Sequence, residues 1–378
     1  MKKIRFGLVG CGLMAREFAS ASARWCHLMK DIPQPEIVGI CTPVPAEMDW
    51  FNKHFPDIKY HTADYRDLVA AEDIEVIYVA VPHNLHAEIY TAVIRSGKAL
   101  LGEKPFGIDK KANDEILKAY EETPGTFVRC TSEFPYFPAV QTMIKWYNEG
   151  KFGRIINVNA GFEHSSDMDL NKPINWKRMV CFNGEYGCLG DLGIHTMHVP
   201  FKLGFIPQRV YAVMSDIVKT RPDGKGGTAI CDTYDNAILM TTATDKDGNE
   251  FPMQINTRRM CPGATNRWYL EIYGLDCSAK FSSDDPNAFC YTASWGKEQA
   301  WSRINIGYKS MIPAITGGIF EFGFTDAIQQ MIAAFILEYL GEEVPFGLFT
   351  PEETRLAHSL QTAAVKSHKN QTVEEIIP

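Results

Sequence analysis

No apolar run in this sequence approaches the roughly 18 residues that would cross a bilayer. No Cys-x-x-Cys pair occurs among the ten cysteines, so neither a zinc ribbon nor a dithiol redox motif is indicated. Positive charge is in short supply: 38 Lys and Arg stand against 46 Asp and Glu, a net charge of -8. That balance argues against a nucleic-acid or anionic-membrane surface and leaves small molecules as the expected partners. The N-terminus outlines a lipoprotein export signal, with Lys2-Lys3 ahead of Ile4, Phe6, Leu8, Val9 and Cys11, but Arg5 interrupts the apolar stretch that export requires. The cysteines are scattered, several inside strand-like runs such as Val38-Gly39-Ile40-Cys41, where a free thiol behaves as a small hydrophobe. Together these absences predict a cytoplasmic protein in a reducing compartment, without a disulfide framework and without a membrane span.

What is present is a long chain, 378 residues, enough for two domains with substantial cores. Ile4 to Val9 reads as a short buried strand, and Gly10-Cys11-Gly12-Leu13-Met14-Ala15 follows it into a helical pattern carrying Leu13, Phe18, Ala19 and Ala23. Two glycines allow a tight turn and bring backbone N–H groups to a pyrophosphate, while a small third residue lets helix pack on strand. Further strands are expected at 36–41, 58–61 and 74–81, with a helix over 85–95, an alternation that implies a doubly wound parallel sheet. The residue that selects the cofactor is atypical. At the end of the second strand, where an acid normally binds the ribose of NAD and an Arg accepts the phosphate of NADP, stands Thr42, followed by Pro43-Val44-Pro45. Asp31 precedes the strand and falls at the wrong end of the sheet. NAD is favoured because no basic residue is at hand, and NADP is not excluded.

Three further stretches carry polar groups to the carboxyl edge of the sheet or to a helix face. Val81-Pro82-His83-Asn84-Leu85-His86 turns over the cofactor side, since a proline there forces the chain out of the strand. Ala99-Leu100-Leu101-Gly102-Glu103-Lys104-Pro105 is an apolar run that ends on an acid and a base, facing a cleft. Asp191 and His195 are four apart, one turn along a single helix face, among Gly187, Gly190 and Gly193. A carboxylate beside an imidazole fixes its tautomer and raises its basicity.

In order and spacing, Gly10-x-Gly12-x-x-Ala15, the Val81–His86 turn, Glu103-Lys104-Pro105, Trp176-Lys177-Arg178 and Asp191-x-x-x-His195 resemble the Gfo/Idh/MocA oxidoreductases, which include glucose–fructose oxidoreductase and inositol dehydrogenase. The resemblance runs through Gly153-Arg154-Ile155 to a C-terminal helix over 351–369. It implies an N-terminal Rossmann domain, residues 1–125, and a substrate-binding and oligomerisation α/β domain with a large, mostly antiparallel sheet, residues 126–378. The alternation over 233–244, a Lys246-Asp247-Gly248-Asn249 turn and a return over 251–258 agree with such a sheet. By resemblance the cofactor is held by Gly10, Cys11, Gly12, Leu13, Met14, Ala15, Thr42, Val81, Pro82, His83, Asn84, His86, Glu103 and Lys104. Lys104 lies beside the nicotinamide, whose positive charge would depress the lysine pKa. His195 is the acid–base group on the substrate oxygen, and Asp191 is its orienting partner.

Glu133, Tyr136, Glu163, His164, Trp176 and Arg178 fall in segments that border the cleft in the family, joining Lys104 and His195 as substrate contacts. His198 stands where many relatives carry Asp. With His195 it offers only two ligands, so a polar group lining the pocket is expected and no metal. Ser132-Glu133-Phe134-Pro135 replaces an Arg of many relatives. The implied activity is hydride transfer between a nicotinamide and a hydroxyl or ketone carbon of a sugar or cyclitol. A glycosidase using transient oxidation, or an inactive sugar-sensing binder of the same fold, are the alternatives. A homodimer or homotetramer is expected.

Overall fold

The computed structural model describes residues 2–293, 298–306, 309–316 and 320–377. Its first part is a six-stranded parallel sheet of β1 (Lys3–Val9), β2 (Gln34–Cys41), β3 (Tyr60–Thr62), β4 (Val76–Val79), β5 (Ala99–Gly102) and β6 (Val128–Cys130), ordered β3-β2-β1-β4-β5-β6. Between them run α1 (Leu13–Ala23), α2 (Met48–His54), α3 (Tyr65–Ala70), α4 (His86–Arg95) and α5 (Lys110–Glu122). Helices cover both faces, so the central strands are apolar along their length rather than alternating: every residue of β4 and β5 is buried. Strand order reverses between β1 and β4, and the crevice outside their carboxyl ends is where a doubly wound sheet binds ligands. The turn after β1 is tight because of Gly10. Its φ of +93° suits glycine, and a Cβ there would meet the Ala80 carbonyl oxygen at 2.1 Å. Leu13, expected on the packed face of α1, is 72% exposed at the rim of this crevice.

After β6 come α6 (Pro138–Asn148), β7 (Ile155–His164), α7 (Val180–Asn183) and α8 (Cys188–Lys202). The second sheet is completed by β8 (Ile206–Ser215), β11 (Asn236–Thr244), β12 (Glu250–Arg258), β13 (Asn266–Gly274), β14 (Ser278–Ser282), β15 (Ala288–Thr292), β16 (Ser302–Asn305) and β17 (Glu374–Glu375). A small hairpin, β9 (Thr220–Pro222) with β10 (Thr228–Ile230), stands apart from it. The nine strands lie in the order β16-β15-β14-β13-β7-β12-β11-β8-β17, antiparallel except for β7 against β12. The β11–β12 turn is built on Asp245, whose Oδ1 accepts from the backbone N–H groups of Asp247 and Asn249. β11 starts at Asn236 rather than 233; just before it, the Thr233 hydroxyl bonds to the Lys177 carbonyl and the Asp235 carboxylate pairs with Arg178.

The C-terminal segment returns to the first sheet. α9 (Phe324–Tyr339) lies against α1, with Phe335 6.2 Å from Phe6 and Arg24 paired to Asp326 at 2.5 Å. α10 (Pro351–Asn370) opens on a Thr350/Glu353 capping box and joins α5 through Asn113 Nδ2, which donates to Thr354 Oγ1 at 3.0 Å.

An aromatic cluster fills the joint: Phe134 is stacked on Trp268 at 5.5 Å and meets Phe162, Phe324 and the His195 ring within 6.2 Å. Phe134→Ala is expected to cost about 3–5 kcal/mol, the scale of a deleted buried aromatic, read as a lower urea midpoint at unchanged m-value.

Candidate active site at the joint between the two sheets

The site is assembled by three pieces of chain. Lys104 stands two residues past β5, α8 supplies Asp191 in its first turn and His195 one turn later, and the 3₁₀ turn Trp176–Arg178 before α7 supplies Lys177. Lys104 Nζ donates to Asp191 Oδ1 at 2.7 Å and to the Asp191 carbonyl at 2.8 Å. Lys177 Nζ reaches Oδ1 and Oδ2 of the same carboxylate at 3.0 and 2.8 Å, and Arg259 lies 3.8 Å from Oδ2. Three cations thus surround one acid. Burial opposes its charge, but Lys104, Lys177 and Arg259 overcome that and hold the Asp191 carboxyl well below the usual range.

Lys177 was not singled out in the sequence, although it sits inside the Trp176-Lys177-Arg178 motif. Its backbone is fixed on every side. Its N–H donates to Asn175 Oδ1, and its carbonyl accepts from Thr233 Oγ1 and Arg259. Burial lowers its pKa, and the Lys104 charge adds to that against the pull of Asp191. Lys104 goes the other way: burial would lower it, but the Asp191 and Glu103 carboxylates raise it above the ordinary lysine value. The protein's own charges therefore act opposite to the depression expected from a nicotinamide cation.

Asp191 turns to the lysines rather than to His195, so the orienting pair expected along α8 does not form. The carboxylate nearest the imidazole is Glu133, with Oε2 3.6 Å from His195 Nδ1. Burial pushes the Glu133 carboxyl up to about 8, with the Glu103 charge adding to it. Burial and the neighbouring Lys104 lower the His195 pKa well below its usual value, leaving a neutral imidazole beside a protonated acid at neutral pH. The His195 carbonyl accepts from Trp268 Nε1 at 2.8 Å, which ties this turn of α8 to β13.

His164 and Trp176 border the same cluster. Asp191 is the strongest charge acting on His164, whose pKa burial lowers to about 4, and its Nδ1 lies 2.9 Å from Ser166 Oγ. Trp176 stands edge-on to the His83 ring at 4.9 Å, with the Lys177 ammonium 5.6 Å from its centroid.

Four expected substrate contacts lie elsewhere. Arg178 is fully buried and paired with Asp167 at 2.9 Å and with Asp235, so its guanidinium holds the loop rather than a ligand. Alternation along β7 puts Phe162 and His164 on the helix-covered face and Glu163 on the other, between Arg258 and Arg267 at 3.6 and 3.7 Å. Tyr136 is buried near the Arg129–Glu338 pair that links β6 to α9. His198, three residues past His195, points into Phe346 and Phe349 with ring centroids at 4.9 and 4.8 Å. Sequence position brought each near the cleft; the side-chain direction, set by alternation or helical phase, took it away.

On the dinucleotide side, Gly10, Cys11, Gly12, Leu13, Met14, Ala15 and Thr42 surround the crevice at the ends of β1 and β2, with the Gly10 N–H donating to the Cys41 carbonyl at 2.8 Å. Val81, Pro82, His83 and Asn84 form the turn after β4. His86 is a buried brace rather than a ligand: Nε2 donates to the Val81 carbonyl and Nδ1 accepts from the Gly107 N–H. His83 Nδ1 is 3.1 Å from the Asn183 carbonyl. Glu103 spends its carboxylate internally, accepting from Tyr78 Oη at 2.8 Å. The cradle fits a dinucleotide, since Gly10 tolerates no Cβ and nothing lies within 4 Å of one built on Gly12.

Residues 4–129 match the Gfo/Idh/MocA family, described as "Oxidoreductase family, NAD-binding Rossmann fold". Levoglucosan dehydrogenase of Pseudarthrobacter phenanthrenivorans is 25% identical over 293 residues, 75% of this chain and 74% of that protein. Inositol 2-dehydrogenase of Rhizobium meliloti is 24% identical over 275 residues, 72% and 73% of the two chains. A solved levoglucosan dehydrogenase in complex with NADH and L-sorbose superposes with a TM-score of 0.88 at 21% identity over the whole of both chains, a likeness of fold.

Glu133 gives the site a signature in stability. A folded-state acid raised from 4.5 to about 8 keeps its proton after the unfolded chain has lost its own, so it stabilises the fold fully below pH 4.5 and loses that contribution as pH rises to 8. Unfolding free energies measured in urea across this window should fall less steeply in Glu133→Gln than in the wild type.

Proposed function

We propose that this member of the Gfo/Idh/MocA oxidoreductases is an NAD(P)-dependent dehydrogenase that oxidises a hydroxyl carbon of a sugar, sugar derivative or cyclitol, or reduces the matching ketone. The observation that carries this reading is the Lys104–Asp191 contact at 2.7 Å, which joins the end of a nucleotide-binding strand to the helix bearing His195. Named relatives act on levoglucosan and inositol, both polyhydroxylated rings, and the side chains around the cluster suit such a ligand. Trp176 offers an aromatic ring, and His164, His195, Lys104 and Lys177 offer hydrogen-bonding groups. Residues 1–125 serve as the dinucleotide-binding unit and 126–378 as the substrate-binding and oligomerisation unit.

The bound nicotinamide supplies the hydride chemistry. The chain's own residues handle the substrate oxygen. Lys104 holds that oxygen by a charged hydrogen bond, and Asp191 fixes the ammonium in place. His195, neutral at physiological pH, takes the hydroxyl proton as the carbonyl forms, and the protonated Glu133 neighbouring Nδ1 influences how readily it does so. Lys177, on both oxygens of the same carboxylate, helps keep Asp191 ionised.

Ten free cysteines suit a reducing, cytoplasmic setting. Among the described residues, no helix is long and apolar enough to cross a membrane. Tyr211, Val213, Ile238 and Met240 form an exposed apolar band on β8 and β11, which a second copy of the chain would cover. Sedimentation should accordingly show a dimer or tetramer, and Val213→Lys with Met240→Glu should yield monomers.

A panel of anhydrosugars, aldoses and inositols, assayed with NAD and NADP by absorbance of the reduced nicotinamide, tests the activity. For the substrate found, His195→Ala and Lys104→Ala should each lower kcat on the order of 10²-fold or more. Thermal unfolding checks that the variants fold, because unpairing Asp191 is itself costly. Near-wild-type turnover in a folded His195→Ala protein would overturn the assignment. A substrate transformed without net release of reduced cofactor would point to transient oxidation instead.

A further inference from the structure

The position at the end of β2 that normally selects between NAD and NADP carries no acid, yet the fold brings one back. Thr42 is buried, and its hydroxyl is committed at both ends: Oγ1 accepts from the Val44 N–H at 3.2 Å and donates to Glu47 Oε2 at 2.8 Å. Glu47 belongs to a single 3₁₀ turn, Pro45–Glu47, whose entry is set by Pro45 and closed by the Glu47 N–H donating to the Val44 carbonyl at 3.0 Å. The Pro43-Val44-Pro45 segment thus folds the chain back over the strand end. A carboxylate five residues downstream is suspended from the residue that stands in the acid's place. One of its oxygens is held by Thr42; the other accepts no hydrogen bond among the described residues.

The carboxylate faces the dinucleotide turn. The Gly10 N–H donates to the Cys41 carbonyl, which puts the glycine turn against the residue preceding Thr42. Cys11, between the two motif glycines, feels the Glu47 charge and, with opposite sign, the Arg16 guanidinium. Arg16 leans on Trp50 at 5.8 Å, and its Nε is buried without a hydrogen-bond partner. This end of the crevice therefore holds a tethered acid with a free oxygen and an arginine whose charge acts on the same Cys11.

We propose that Glu47, positioned by Thr42, is the residue that selects NAD over NADP, by accepting the hydrogen bonds of the adenosine ribose diol and repelling a 2′-phosphate. The inference rests on the dinucleotide-binding reading above. The missing acid of β2 is replaced across the turn instead of within the strand. Arg16 alone does not reverse the preference, because a 2′-phosphate reaching it lies against the Glu47 charge. Removing that charge leaves the arginine unopposed, so the loss of one carboxylate should shift the preference toward NADPH rather than weaken both nucleotides alike.

The test is binding, independent of any substrate. Dissociation constants for NADH and NADPH are measured by nucleotide fluorescence on the full-length wild type, Glu47→Gln, Thr42→Val and the double variant Glu47→Gln/Arg16→Ala. The wild type should bind NADH at least about tenfold more tightly, a difference that one charge contact supplies. Glu47→Gln should shrink or invert the ratio by about tenfold or more, mainly by tightening NADPH, and the added Arg16→Ala should take that gain away. Thr42→Val should narrow the ratio less, since the acid remains but loses its tether. Glu47 is only partly buried, and a glutamine keeps an acceptor for the Thr42 hydroxyl, so the melting temperature without nucleotide should change little in Glu47→Gln. An unchanged NADH/NADPH ratio in Glu47→Gln, with both nucleotides still bound, overturns the role of Glu47 and leaves the dinucleotide reading standing. Failure of the wild type to bind either nucleotide sinks that reading and this inference with it.

Discussion

At the candidate site, one buried carboxylate ties the two halves of this protein together. Asp191 is almost wholly enclosed, and an isolated charge in that position would be forced to neutralise. It stays ionised because Lys104 arrives from the end of β5 and Lys177 from a loop braced by the second sheet. Removing one partner of such a pair generally costs about 3–5 kcal/mol, because a buried charge is left alone. The joint between the sheets and the chemistry at it are therefore the same structure. Lys104 reaches Asp191 across the joint, while Lys177 reaches it from within the second half.

The arrangement distributes protons in a definite way. Around the cleft, burial favours neutral forms: His83, His86, His164 and His195 are all driven below their ordinary values, and Glu133 is driven above its own. Opposing this, the Asp191 cluster keeps its charges because they are mutually compensated. In the proposed reaction, a hydroxyl beside Lys104 and His195 meets a fixed donor and a neutral base, the pairing that oxidation of an alcohol requires. The loop that presents Lys177 is itself held by buried arginines. Arg178 is clamped by Asp167 and Asp235, and Arg221 binds the carbonyls of Asp167, Asp169 and Lys172. Those guanidiniums act as fasteners for the chain that bears the site.

Much of the fold is legible without coordinates, because its signals are local. A buried strand followed by Gly10-x-Gly12-x-x-Ala15, regular alternation, and a hairpin built on Asp247-Gly248 each depend on neighbours in sequence. Lys104 is legible for the same reason, since a charge ending an apolar parallel strand must stand at the ligand edge. The misassigned residues fail where direction matters. Glu163 and His164 are adjacent, and only the pleat of β7 decides that one faces the helices and the other the far side. His195 and His198 share a helix, and only the packing of α8 against residues 346–349 decides which ring reaches the cleft.

By itself the sequence determined the class of the molecule: a parallel nucleotide-binding sheet, a second sheet with an antiparallel hairpin, and an acid, a base and an imidazole placed where a cleft would form. Periodicity and the demands of glycine and proline on the backbone suffice for that. Tertiary structure alone decided the partnerships. Asp191 pairs with Lys104 and Lys177 instead of the histidine one turn away, Glu133 becomes that histidine's neighbour, and Glu47 returns to the end of β2 through the hydroxyl of Thr42. The Lys104–Asp191 contact joins residues 87 positions apart, and its strength depends on distance and burial, which exist only once the chain is packed.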